Sequence, residues 1–301
     1  AGPIYQDTAL YIAIALVVFT ILFGTRNLDP NERHEGLIAA IAFESIFKLV
    51  AFLSVGVFVN YIVYNGFGDV FESGKVVPEI AKLYSFEAAG VEGSTWFWLT
   101  ALSMLAILFL PRQFHVSVVE NTNPDFLRKA SWLFPLYLLL INLFVVPIAL
   151  AGLIQYPNGL VEPDTFVLSL PLDLGKDYLA LFVALGGFSA ATSMVIIAVI
   201  ALSIMISNNL VLPFLLRSQT ITNPYVLDVS KRLLGIRRIS IILVVLLAYG
   251  YFKSVGQGYT LVSIGLISFT AVAQFAPVIL GGIFWKRATK IGAFWGLGLG
   301  F

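Results

Sequence analysis

Leu110-Pro111-Arg112-Gln113-Phe114-His115 interrupts an apolar stretch that otherwise runs unbroken from about Trp96 to Val119. Proline has no amide hydrogen, and its ring clashes with the preceding helical turn. Counted inward from Trp96, Pro111 lies roughly 22 Å along a straight helix, past the middle of a bilayer yet still within the span. Either the helix breaks there, exposing backbone carbonyls beside Gln113 inside a protein-lined cavity, or it ends at Leu110 and Arg112 is an anchor at the inner face. In the first case Arg112 can meet a carboxylate through two parallel hydrogen bonds, and His115 can carry a proton. A helix broken at depth and lined with polar groups is how many carriers build a site.

The rest of the chain supports the membrane setting. Of its 301 residues 59% are hydrophobic and 12% charged, about half the charged share of a soluble domain. Apolar blocks long enough to span run roughly Thr8–Phe23, Leu37–Val63, Trp96–Val119, Ala130–Gln155, Tyr178–Ser207, Leu233–Phe252 and Tyr259–Phe284, giving seven spans and a short terminal block from Ile291 to Phe301. The fold expected is an all-α, polytopic integral membrane protein, with residues 1–301 forming one membrane domain. The chain starts at Ala1 without methionine and ends in a block too short to cross, so it reads as a piece of a longer protein.

With the N-terminus outside, the inner loops hold thirteen Lys and Arg residues, whereas the outer ones hold Lys75, Lys82, Lys176 and Lys253. The positive-inside rule then fixes the orientation. The outer loops Tyr64–Ser94 and Tyr156–Asp177 are long and acidic, and the first has room for a short amphipathic helix near Val76–Phe86. A net charge of +1 gives no concentrated basic face for nucleic acid. The absence of cysteine excludes disulfides and thiolate metal sites.

Three further groups carry candidate chemistry. Ser189, Thr192 and Ser193 are spaced three and four apart, so their hydroxyls share a helix face; such oxygens can hold a small cation or can glue membrane helices together. Glu44 and Lys48 are four apart with the acid first, so they can neutralise each other, or Glu44 can carry a proton. Gly292, Gly296 and Gly300 recur at every fourth position, a spacing that lets helices approach closely. No GxSxG, HExxH or P-loop pattern occurs. An intramembrane enzyme would need a nucleophile and a base that the sequence does not offer, and no organic cofactor is called for.

Taken in order, these features resemble the sodium/solute symporter family, and more narrowly the symporter-like membrane domain of bacterial sensor histidine kinases. The phrases that carry the resemblance are Asn31 to Gly36 with Ala42-Phe43-Glu44-Ser45, Leu110 to His115, and Gly186 to Ser193. The resemblance implies a leucine-transporter-like fold of two inverted repeats, of which this chain holds core helices four to ten and the start of the next. The end of the first repeat then covers about 8–63 and the second repeat about 95–284. It also implies that Pro111, Arg112, Gln113 and His115 face the solute, and that a sodium site maps to Ala190, Ser193 and Met194. A thioether is a poor sodium ligand, so Ser189 or Thr192 must compensate, or the coupling ion is H+ rather than Na+. The function expected is a secondary transporter for an amino acid or other carboxylate in the bacterial inner membrane. The alternative is a sensory input domain that binds the solute and signals to a kinase domain in the same chain.

Overall fold

The computed structural model describes residues 7–24, 35–85, 92–157, 159, 161–214 and 226–300. Among them there is no strand, and the chain is an all-α, multi-pass membrane protein. Five helical stretches are long and apolar enough to cross: Ile38–Val63, Pro124–Gln155, Asp177–Phe214, Leu233–Ser254 and Leu261–Phe284. A sixth is the bent pair Gly93–Phe109 and Pro111–Val119, and Thr8–Gly24 is a shorter apolar helix. All seven expected spans therefore have helical counterparts.

The helices, in order, are α1 (Thr8–Gly24), α2 (Glu35–Phe58), α3 (Phe67–Val76), α4 (Pro78–Ala81), α5 (Gly93–Phe109), α6 (Pro111–Phe114), α7 (Pro124–Asn142), α8 (Val145–Gln155), α9 (Phe166–Asp173), α10 (Asp177–Met205), α11 (Val226–Ser254), α12 (Leu261–Ala273), α13 (Ala276–Phe284) and α14 (Lys290–Gly300). Three of them run on into a π-turn, at Val59–Val63, His115–Val119 and Ile206–Val211. The bonds closing these wide turns join Tyr64 N to Val59 O, Glu120 N to His115 O and Leu212 N to Ser207 O. Each wide turn contains a buried polar side chain: Asn60, His115 or Ser207. Such turns are rare and gather at functional sites.

The chain divides into two compact units. One comprises Ala1–Leu37, Thr100–Glu120 and Thr192–Phe301. Here α1 lies against α11, with Ala13, Val17 and Ile21 packed on the buried Val199, Ile241 and Val245. Gly24 permits a close approach, because a Cβ there would come within 2.6 Å of Ile200. At the start of α1, Asp7 accepts from the Leu10 amide through Oδ1, an N-terminal cap. Its other oxygen takes the Tyr249 hydroxyl and the Lys253 ammonium, each at 2.6 Å.

Those two contacts hold the Asp7 carboxyl down from 3.8 to about 2, with the bond to Lys253 the largest cause. A depressed folded-state value means that the stabilisation is complete above 3.8 and is lost as pH falls towards about 2. Melting in detergent should therefore show a steeper acid loss for the native protein than for Asp7→Asn across that window. Parallel pH profiles would show that the clasp contributes nothing.

The second unit comprises Ile38–Leu99 and Asn121–Ala191. Its core joins Val55, Phe58 and Val59 of α2 and its π-turn to Phe144, Ile148 and Ala151 of the α7–α8 span and to Phe166 and Leu170 of α9. Two glycines make this possible: a Cβ on Gly56 would collide with the Phe144 ring, and one on Gly152 with Phe166. Phe67 stacks on Phe144 at 5.4 Å. At the end of α8, burial and the hydrogen bond donated to Asp173 push Tyr156 up to about 12.

Some boundaries differ from the sequence reading. Within the stretch near Val76–Phe86 where a helix is expected lie α4 and a 3₁₀ turn at Lys82–Tyr84, while the longer α3 ends just before Val77, which is extended ahead of Pro78 (φ −89°, ψ 115°); Phe86 lies outside the described residues. The expected span Ala130–Gln155 starts sooner, at the Asn123-Pro124 cap where Asn123 Oδ1 accepts from the Asp125 amide. The small-residue stripe of α14 meets little: a Cβ on Gly296 would have nothing within 4 Å, while one on Gly300 would reach the Gln274 side chain.

Candidate functional site

The break in the third span is real. α5 ends at Phe109, Leu110 is extended (φ −60°, ψ 126°), and α6 restarts at Pro111 with the axis bent by 48°. The cause is local: the residue before a proline is driven out of the helical region, and Pro111 itself fits the first helical position. Leu110 N still donates back to Ala106, and Phe114 N back to Leu110. Between those bonds Pro111 has no hydrogen to give to the carbonyl of Ile107, the partner that a regular helix would assign it.

The residues after the break differ in exposure. Pro111, Arg112 and Gln113 are half-buried, Phe114 is exposed, and His115 is buried at 8%. Gln113 offers its backbone carbonyl to the Ser117 hydroxyl at 2.6 Å. A half-buried guanidinium suits a carboxylate, which it can grip with two donors in a fixed plane.

The sequence reading missed Glu120. Its side chain is 5% exposed, and its Oε1 lies 3.3 Å from His115 Nε2. In an ordinary α-helix, residues five apart point about 140° away from each other. The π-turn His115–Val119 closes that angle, because its wider coil brings the fifth residue round beneath the first. The available signal was a carboxylate directly after Val116-Ser117-Val118-Val119, at the end of the apolar block and one turn beyond His115.

On α10, Ser193 is buried, Ser189, Ala190 and Thr192 are half-buried, and Met194 is 41% exposed. The thioether thus lies off the face that carries the Ser193 hydroxyl. Ser189 and Ala190 belong to the second unit, and Thr192, Ser193 and Met194 to the first. Further up the same helix, a Cβ on Gly186 would stand 2.9 Å from Ala51 Cβ and 3.7 Å from Lys48 Cα, so this glycine lets α2 and α10 touch. Glu44 and Lys48 are both half-buried, and among the described residues no ion pair joins them. His34, which belongs to the Asn31–Gly36 phrase, lies outside the described residues.

An open cleft of about 840 Å³ lies within the second unit, between Val50, Leu53, Ser54 and Val57 of α2 and the stretch from Gly175 to Leu179. Its lining is mostly apolar, with Ser54, Lys176, Asp177 and Tyr178 as the polar members. It lacks the convergent polar groups that fix a small ligand.

Residues 227–300 match the family model described as the sodium:solute symporter family. Over 98% of its length the chain is 26% identical to an uncharacterised symporter, YhjB, of Bacillus subtilis, and covers 56% of that protein. Over 50% of its length it is 27% identical to an uncharacterised symporter of Cupriavidus necator, covering 20% of it. The chain thus spans about half the length of the first of these relatives and less of the second. No solved structure matches it.

Proposed function

We propose that this chain, which resembles the sodium:solute symporter family, is the membrane part of a secondary transporter that binds a small carboxylate-bearing solute, an amino acid or a simple organic acid, at the break in its third span. The observation that carries this reading is the 48° bend at Leu110–Pro111, with a half-buried Arg112 and a buried His115 directly after it. Arg112 takes the carboxylate, while Gln113 and the open backbone next to Pro111 complete the polar wall. Transport follows if the solute binds one of two alternating states more tightly than the other.

The coupling ion in this reading is the proton. Of the positions at which the family resemblance puts sodium ligands, Ala190, Ser193 and Met194, one supplies a soft thioether that is 41% exposed. Ser189, Thr192 and Ser193 supply neutral hydroxyl oxygens on the same helix. His115 and Glu44 are the titratable groups that this reading assigns to a proton path. In this reading the domain lies in a bacterial inner membrane with Ala1 outside, an orientation that the excess of basic residues in the loops of one side supports.

Uptake by the full-length protein in proteoliposomes tests the coupling. With a panel of labelled amino acids and short carboxylates, transport should persist when choline replaces all sodium and should respond to an imposed pH gradient. Complete loss of uptake in choline would overturn proton coupling in favour of sodium.

A further inference from the structure

We infer that the cleft beside α2 is a lipid site. It takes one acyl chain of a phosphatidylethanolamine, with the headgroup phosphate at Lys176 and the headgroup ammonium at Asp177. Val50, Leu53, Ser54, Val57 and Phe58 line the cleft and recur at steps of three and four, so they form one face of α2. The Ser54 hydroxyl donates to the Val50 carbonyl of its own helix at 2.7 Å, which leaves that face little but carbon to offer a ligand. Val50 and Val57 remain 48% and 47% exposed.

The dimensions fit a chain in one leaflet. From Val50 to Ile62, which also lines the cleft, the stripe is about 18 Å long at 1.5 Å per residue. One leaflet contributes roughly 15 Å to a hydrocarbon core of about 30 Å. Beside Val50 the cleft meets its deep end, where Gly186 lets α10 touch α2 at Ala51.

The charged end is set by the turn between α9 and α10. Gly175 takes φ 67°, the Lys176 amide donates back to the Pro171 carbonyl at 2.8 Å, and α10 starts at Asp177. Leu179 packs on the cluster of Val55, Phe58 and Val59, so this turn stands where α2 reaches its end, at the outer leaflet in the proposed orientation. Lys176 and Asp177 are exposed, and among the described residues neither has an ion-pair partner. Neighbouring charges of opposite sign complement a zwitterionic headgroup, whereas an anionic one would be attracted by Lys176 and repelled by Asp177. Tyr178, the next residue in the lining, is of a type favoured at the membrane surface. An apolar protein helix could cover the stripe but would leave both charges idle; a lipid engages stripe and charges together.

Photolabelling of the full-length protein tests the site. The probe is phosphatidylethanolamine with a diazirine in one acyl chain, used as a minor component of phosphatidylglycerol vesicles. Labelling of residues 50–62, read by mass spectrometry, should exceed that at Leu247 of α11, which is 73% exposed and samples bulk lipid. Lys176→Gln should lower the excess about fivefold, the effect of one basic residue near the surface. Asp177→Asn should let a phosphatidylglycerol probe label residues 50–62 as well as the phosphatidylethanolamine probe does. Val57→Trp fills the cleft and should abolish the excess with either headgroup. Labelling of residues 50–62 at or below the level of Leu247 in the native protein would overturn the proposal and give the stripe to a protein segment instead. An excess that neither Lys176→Gln nor Asp177→Asn alters would also overturn it. Both of these residues are exposed, so their variants report even where Val57→Trp does not fold.

Discussion

Arg112→Ala in the full-length protein should weaken solute binding by about thirtyfold or more. Truncating one partner of a desolvated, hydrogen-bonded charge pair costs about 2–5 kcal/mol, and each 1.4 kcal/mol is about tenfold. Arg112 is half-buried directly after the bend, so its contact with a carboxylate would be sheltered from the water that weakens exposed pairs. Arg112→Lys separates charge from shape: it keeps the positive charge but loses the planar fork, and its affinity should fall between the two. Equilibrium binding of the best solute in the amino acid and carboxylate panel measures both. An unchanged dissociation constant for Arg112→Ala would remove the residue from the site and leave it as an inner-face anchor.

The largest effect on stability is expected at Gly56. An alanine there places a methyl group in the Phe144 ring, which is 7% exposed, packs in the core of the second unit and stacks on Phe67. Overpacking of this kind typically costs about 1–3 kcal/mol. Here it should reach the upper end, because the obstacle is the base of a rigid ring, Phe144 Cβ, Cγ and Cδ1, and not the tip of a flexible chain. Gly187→Ala is the contrast: a Cβ there would meet nothing within 4 Å, and replacing glycine inside a helix gains up to about 1 kcal/mol. In detergent melts, Gly56→Ala should lower the midpoint by several degrees and Gly187→Ala should leave it level or raise it. Equal midpoints for Gly56→Ala and the native protein would mean that α2 and the α7–α8 span pack less closely than described.

What could be read from the sequence divides along physical lines. The spans were legible because length and apolarity are properties of a single segment, and the break at Pro111 because proline acts on its own turn and the one before it. The Asp7–Lys253 contact was not legible, since it joins the start of α1 to the end of α11 across most of the chain. The glycines of α14 show a third case: their spacing marks a face, yet Gly296 meets nothing within 4 Å, because a pattern names a surface and not its partner. At the candidate site, Arg112, Gln113 and His115 were found from residue type and depth. Glu120 was hidden by the assumption of a regular helix, under which it points away from His115.

The three wide turns have a consequence for how sequences of this kind should be aligned. Each stores one surplus residue, and deleting that residue rotates everything downstream in the helix by about 100° and draws it back by about 1.5 Å. A gap of a single position between His115 and Glu120 is therefore no neutral trimming of a loop. It would carry the acid off the imidazole while leaving hydrophobicity, length and every neighbouring letter untouched, so two chains that look alike by composition could differ in whether their acid and imidazole stand abreast.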